Sequence, residues 1–244
     1  DLIIAECLLK KDHKKYFRKR VVVNKIKDSG DYWDLKTDPD GMARDLKNET
    51  ERSERRDFYK KEVQYINSLP NKTGKMFLDL GCGPGFISSE ISDEYIKHGL
   101  DNSKTAVQYA SKYIENLHLG VLNVDTYPDE FFDVVLCFHV IEHVNDPIRF
   151  IRNISNILKT HGELIISTPD FDSAMARRYG EKYRMLNDEG HISLFSVSGL
   201  VDALSDNGFF VEKIDYPYFE TKYFNKSEIG KVFDNDLGTS PAFY

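Results

Sequence analysis

Cysteine is scarce. Cys7, Cys82 and Cys137 are an odd three with no metal-type spacing, which excludes a disulfide-stapled secreted scaffold and a zinc ribbon and fits reduced thiols in a cytoplasmic enzyme. Long apolar runs are lacking too, so no membrane span is expected. The brief stretch Leu2-Ile3-Ile4-Ala5 is broken by Glu6 and followed by basic residues, the reverse of a secretory signal. Positive charge is not in excess: 33 Lys and Arg against 40 Asp and Glu leave a net −7. That balance excludes a whole-surface footprint for nucleic acid. The basic run Lys10–Arg20 reads as a solvated face. An initiating Met is absent, which reads as a trimmed front, and repeats and low-complexity segments are lacking.

The 244 residues that remain suffice for a sizeable core without disulfides or structural metal. Residues 1 to about 45 are irregular in pattern, with a candidate strand at Val21–Val23, and Arg44–Leu69 reads as one long helix. After the breaker Pro70–Gly74, strand-like segments at Lys75–Leu80, Tyr95–Leu100, Leu117–Val124, Phe132–Phe138, Glu163–Ser167 and Phe209–Ile214 alternate with helix-like ones. The helices fall at about Ser88–Asp93, Ser103–Glu115, Ile148–Leu158 and Ser198–Asn207. This alternation predicts an α/β fold: a Rossmann-like, doubly wound, mostly parallel sheet with helices on both faces. Residues 217–244 show no convincing final antiparallel strand; either it lies outside the chain or the tail is a cap.

The strongest local signal is Phe77-Leu78-Asp79-Leu80-Gly81-Cys82-Gly83-Pro84-Gly85-Phe86, an apolar strand running into three alternate glycines. Such glycines let backbone turn tightly and approach a ligand, at the strand ends where open parallel sheets bind ligands. A dinucleotide turn wants G-x-G-x-x-G with pyrophosphate on the helix N-terminus. Here Phe86 occupies the third-glycine slot, and Asp79 would repel a pyrophosphate but pair with a cationic amine. Asp101 ends the second strand, suited to ribose hydroxyls or to helix capping, a task Ser103 also fits. Asp125 ends the third predicted strand and, taken alone, is a turn residue.

The D-x-G-x-G-x-G pattern resembles that of class I S-adenosylmethionine-dependent methyltransferases over about residues 75–215. The resemblance implies S-adenosylmethionine as cofactor and S-adenosylhomocysteine as product. It implies Asp79, Gly81, Cys82, Gly83 and Phe86 around the amino-acid end, Asp101 and Asn102 at the ribose, Asp125 and Thr126 at the adenine, and Cys137 in the pocket. Tyr32-Trp33 fits an aromatic lid over the cofactor or, equally, a hydrophobic anchor. Residues 1–70 would then form a lid, 71–216 the cofactor-binding domain with an acceptor-side insertion at 169–196, and 217–244 a tail.

His139-Val140-Ile141-Glu142-His143 follows the fourth strand of the predicted domain and matches the zinc-peptidase pattern H-x-x-E-H, which needs one helix presenting both histidines. It instead resembles the Glu-His turn of small-molecule methyltransferases such as those of quinone biosynthesis. In some of those, acids and histidines at this turn hold a cation; His139 stands where an acid would, and no metal is expected. The N-P-P-Y signature of base-modifying nucleic-acid methyltransferases is absent.

Transfer to a hydroxyl needs a general base, and histidine titrates near neutrality. His191, His139 and His143 are the candidates, with His191 alternatively a capping or packing residue; His13, His98, His118 and His161 read as surface positions. Arg177, Arg178, Tyr183 and Arg184 in the insertion resemble methyltransferases of bacterial surface-polysaccharide clusters, implying a sugar-linked small-molecule acceptor of capsule or lipopolysaccharide synthesis. The alternatives are a quinone or natural-product acceptor, a non-catalytic nucleotide-binding domain, and a dinucleotide-dependent oxidoreductase. The chain is expected to be a monomer or homodimer.

Overall fold

The computed structural model describes residues 2–7, 17–19, 33, 59–180, 183, 185, 188 and 190–216. Its elements are β1 (Leu2–Cys7), β2 (Phe17–Lys19), α1 (Lys60–Ser68), β3 (Met76–Leu80), β4 (Ile96–Asp101), α2 (Lys104–Ala110) and β5 (Asn116–Leu119). There follow β6 (Phe132–Phe138), α3 (Pro147–Ile157), β7 (Leu158–Ser167), α4 (Ala174–Tyr179), β8 (Ser193–Phe195), α5 (Val197–Asp206) and β9 (Phe209–Asp215).

One seven-stranded sheet has the order β5-β4-β3-β6-β7-β1-β9. Strands β5, β4, β3, β6 and β7 pair in parallel. The central strands are near-continuous apolar runs because both faces are covered. Alternate residues serve the two faces. Leu78, Leu80, Val135, Leu164 and Ile166 pack with Phe150, Ile151 and Ile154 of α3 and Leu200 and Leu204 of α5. Phe77, Val134, Leu136 and Ile165 pack with Val63 and Ile66 of α1. Helix α3 starts where Asp146 accepts the Arg149 N–H and Pro147 takes the first turn, a combination that leaves few orphan donors. Deleting a fully buried side chain such as Ile154 would cost about 2–5 kcal/mol.

The antiparallel position beside β9 is filled from the front of the chain. β1 runs antiparallel to both neighbours, with Leu2 opposite Ser167 and Asp215, and Ile3 opposite Ile166 and Ile214. The sequence reading took residues 1–45 as irregular and looked for this strand near the C-terminus. A four-residue apolar stretch followed by Glu6 shows its strand character only through the two strands that receive it. Val21–Val23, residues 44–58 of the predicted long helix, and the tail 217–244 lie outside the described residues. A separate two-stranded ribbon pairs β2 with β8, Phe17 opposite Phe195. After the glycine turn the expected helix is only a 3-10 turn, Ser88–Glu90, with Ile91 already extended.

Candidate active site

The glycine turn leaves β3 in the left-handed region, with φ of +78° at Gly81 and +50° at Gly83, a conformation costly for any residue with a Cβ. Space forbids one as well. A Cβ on Gly81 would run into Val140, and one on Gly83 would lie 2.7 Å from the Trp33 ring. The Gly81 and Cys82 N–H groups both donate to the Leu100 carbonyl, at 2.7 and 3.1 Å, binding the turn to the end of β4. Asp101 completes the tie: Oδ2 accepts the Gly83 N–H and Oδ1 the Ser103 N–H, each at 2.8 Å. The cap belongs to Ser103, whose hydroxyl accepts the Ala106 N–H at 3.1 Å. The Asn102 backbone also bonds to the carboxylate, and a carboxylate's remaining lone-pair capacity is open to a ligand hydroxyl.

Asp79 is 3% exposed, and its Oδ2 accepts the Ser88 hydroxyl at 2.6 Å. Burial pushes its carboxyl up to about 7, with Asp101 adding to the rise and the Ser88 hydrogen bond opposing it. Among the described residues no cationic side chain is paired with it. A buried carboxylate without a cation calls for one from a ligand. The short 3-10 turn offers little helix dipole to a pyrophosphate. The cradle therefore fits a cationic amino-acid moiety better than a dinucleotide.

The remaining predicted cofactor residues are placed unevenly. Phe86 is buried beside the turn, and Asn102 is exposed next to Asp101. Cys137 is fully buried within the hydrophobic cluster on one face of the sheet, where it serves packing. Strand β5 ends at Leu119, so Asp125 does not end a strand. It is exposed in a turn where Thr126 Oγ1 accepts the Asn123 N–H at 2.8 Å. Tyr32 lies outside the described residues, whereas its neighbour Trp33 stands against Gly83. His98 is not a surface position but half-buried, edge-on to Phe131 and Phe132.

The second half of the cleft begins at the end of β6. His139 has φ of +54°, a strained value for a residue with a Cβ, and its N–H reaches the Ser167 carbonyl at the end of β7. Its Nδ1 donates to Glu142 Oε1 at 3.2 Å, while Thr168 Oγ1 donates to Oε2 at 3.1 Å. Glu142 is 0% exposed. Burial alone would raise its carboxyl, but the His139 hydrogen bond and the attraction of His139, His143 and His191 outweigh it and bring the group down to about 2. The 139–143 segment is a strand end and a 3-10 turn, not an α-helix, so the zinc-peptidase geometry is excluded.

The insertion closes onto this turn. The Ile192 N–H donates to the Glu142 carbonyl at 2.8 Å. His143 Nδ1 donates to the Gly190 carbonyl at 2.9 Å and His191 Nδ1 to the Met185 carbonyl at 2.6 Å. The two imidazole centroids are 4.8 Å apart, and Phe171 stands edge-on to His191. Burial lowers the His191 pKa, keeping the ring neutral near pH 7. A carboxylate oxygen of Glu142 and one ring nitrogen from each of His143 and His191 lie within 4.8 Å of one another. Glu142, at the centre, is read from the sequence as part of a Glu-His turn in the pocket but is given no role of its own there. Its signal was the single acid between two histidines, His139 and His143, directly after a buried strand. Arg177, expected to face an acceptor, is paired with Asp172 at 3.0 Å, and Arg178 lies over the Tyr179 ring.

A methyltransferase-domain family model matches residues 52–214. The chain belongs to that methyltransferase family. Among its curated relatives, the ubiquinone biosynthesis O-methyltransferase of Coxiella burnetii is 31% identical over 113 residues, covering 43% of this chain and 48% of that protein. The Glaesserella parasuis protein of the same name is 33% identical over 119 residues, covering 43% and 50%. The chain thus spans about half the length of these relatives. A SAM-dependent methyltransferase structure from Thermotoga maritima is 26% identical, with a TM-score of 0.51 over 66% of this chain and 78% of that one. One from Archaeoglobus fulgidus shares the fold at 16% identity, with a TM-score of 0.56 over 76% and 86%. The methyl donor of this methyltransferase is S-adenosylmethionine, and the cradle around Asp79, Gly81 and Gly83 fits it. No helix among the described residues is long and apolar enough to cross a membrane.

Proposed function

We propose that this methyltransferase methylates a hydroxyl of a small molecule, with His139 as the general base. The observation that carries this reading is the Glu142–His139 pair. A fully buried carboxylate fixes Nδ1 of a ring that is 37% exposed, at the strand end beside the glycine turn. That arrangement places the proton on Nδ1 and the accepting lone pair on Nε2, the logic of carboxylate-oriented histidine bases. His191, first among the sequence-based candidates, has its Nδ1 committed to Met185 and is more deeply buried; with His143 and Phe171 it suits the acceptor wall.

When bound, S-adenosylmethionine supplies an electrophilic methyl and departs as S-adenosylhomocysteine. Asp79 would hold the amine, Asp101 the ribose hydroxyls and Asp125 the adenine amino group. Gly81, Gly83 and Trp33 shape the cradle. His139 Nε2 would take the proton of the acceptor hydroxyl, freeing its oxygen for transfer. A covering role for N-terminal residues is supported by Trp33, which stands on Gly83, and by the β2–β8 ribbon two residues past His191.

For the acceptor we favour an aromatic hydroxyl of the quinone-precursor class, supported by the names of the relatives. A phosphorylated sugar loses support because Arg177 is held by Asp172. The test is mass spectrometry after incubation with S-adenosylmethionine and two panels, catechols and nucleotide sugars. Gain of one methyl on a catechol is expected; gain only on the sugars would overturn the acceptor class. In calorimetry, NAD binding without S-adenosylhomocysteine binding would overturn the donor-site assignments.

A further inference from the structure

We propose that Ser88 is a positioning residue of the cofactor site: its hydroxyl occupies one oxygen of Asp79 and so presents the other to the amine of the methyl donor. Ser88 is fully buried, and its Oγ donates to Asp79 Oδ2 at 2.6 Å. That length is typical of a hydroxyl donating to an ionised carboxylate. A hydroxyl has one proton to give, so the donation is exclusive. Among the described residues no other group donates to the Asp79 carboxylate, and Oδ1 is left for a ligand.

The 3-10 turn that carries Ser88 is gripped from the sheet. Phe77 lies opposite Lys97 in the β3–β4 register and Asp79 opposite Gly99, so Lys97 and Asp79 project from one face. Lys97 is buried, yet its ammonium does not pair with Asp79. It donates instead to the Ser88 carbonyl at 3.3 Å and to Asp93 Oδ1 at 2.7 Å. The Ile91 N–H reaches the same carbonyl at 3.4 Å. Ser88 is therefore held by its backbone while its side chain serves Asp79. A lysine placed to neutralise Asp79 fixes the residue that orients it, which leaves the carboxylate for a cation from outside.

The charged and titratable groups facing Asp79 are Asp101 at the end of β4 and the thiols of Cys82 in the glycine turn and Cys137 in β6. Asp101 adds to the rise that burial imposes on Asp79, and burial keeps both thiols neutral. The Ser88 hydrogen bond acts the other way. Without it the carboxyl stays protonated to higher pH, and a protonated acid does not pair with an ammonium group.

This role rests on the reading of Asp79 as the amine partner. The test is calorimetry of wild type, Ser88→Ala, Asp79→Asn and the double variant from about pH 6 to about pH 9, with S-adenosylhomocysteine and with its analogue lacking the amino group. Ser88→Ala should weaken S-adenosylhomocysteine about fivefold near pH 7, and the loss should narrow above about pH 8 as the carboxyl ionises. The deaminated analogue should bind within about twofold of wild type, which also shows that the variant is folded. In the Asp79→Asn background, Ser88→Ala should add less than about twofold. A loss that is flat in pH, or equal for the two ligands, would make Ser88 a purely structural residue and overturn the proposal. Wild-type binding by Asp79→Asn would fault the amine assignment itself. An Asp79→Asn loss as expected, with Ser88→Ala indistinguishable from wild type, would overturn the role of Ser88 alone.

Discussion

At the ends of β3 and β4 the carboxylates are held by partners no more than 18 residues away in the chain, Gly83 being the farthest. Asp101 takes the Ser103 N–H two residues on, and Asp79 the Ser88 hydroxyl nine residues on. At the end of β6 His139 is a local partner of Glu142, but the others are distant: Thr168 reaches Glu142 across 26 residues and Gly190 reaches His143 across 47. The electrostatics differ in the same sense. Asp79 is a buried acid pushed up to about 7 by burial, while Glu142 is an equally buried acid brought down to about 2 by the His139 hydrogen bond and the attraction of three surrounding histidines. One end of the cleft is incomplete until a cationic ligand arrives. The other carries its own compensating groups and is poised for proton transfer.

The comparison breaks most visibly at His139. His139→Ala should lower kcat by about 10²- to 10⁴-fold and leave S-adenosylhomocysteine affinity within about twofold, because the base belongs to the acceptor end. Steady-state rates and calorimetry read the two effects separately. An unchanged kcat would move the base to His191 or His143.

Gly81→Ala attacks the cofactor end through geometry alone. The left-handed φ and the collision with Val140 together should cost on the order of 3 kcal/mol, read as a drop in the denaturant midpoint and a weakened cofactor site. Since Val140 adjoins His139, the Gly81→Ala/Val140→Ala double variant should recover part of the loss by relieving the collision, though not the φ strain. No recovery would mean that the two ends meet less closely than the contact implies.

Asp79→Asn sharpens the electrostatic contrast. An aspartate whose folded pKa is raised from 3.8 to about 7 holds a proton that the unfolded chain has released. Its contribution to stability therefore declines as pH rises from about 4 through about 7. The variant lacks this component, so apo wild type should lose stability relative to Asp79→Asn over that window in thermal melts. Pairing with a ligand amine needs the ionised form. S-adenosylhomocysteine affinity should thus rise through about pH 7 in the wild type, and be flatter and roughly tenfold weaker at pH 8 in the variant. Parallel pH profiles would remove Asp79 from the amine site.

The two ends also differ in how far they could be read from residues alone. Strand β6 was legible to its bounds, and α3 and α5 to within a residue, because apolar periodicity and the caps at Asp146 and Ser196 agree. The glycine turn with Asp79 and Asp101 was legible because its partners are local. The strand after α3 begins earlier than the predicted Glu163: the chain is already extended from Leu158, through Gly162, to Ser167. A glycine inside a strand and one after a helix look alike in sequence. Neither β1 nor the docking of the 188–192 loop on Glu142 was legible, since both depend on pairings between segments far apart in the chain.

Asp125 is where the cofactor end departs from its own rule. The Leu-Val alternation of Leu117–Val124 predicted a strand running up to it. The last sheet contact is instead the Gly120 N–H on the Asp101 carbonyl, beyond which Val121 and Val124 are exposed. An exposed acid in a turn can still accept a hydrogen bond from an adenine amino group, but such a bond is worth only about 1 kcal/mol. Asp125→Ala should accordingly weaken S-adenosylhomocysteine about fivefold, leave stability unchanged, and leave the affinity for S-homocysteine analogues lacking the base unaffected. Equal loss with and without the base would assign Asp125 to shaping the turn through its neighbours Asn123 and Thr126, and the adenine would then be held by other groups.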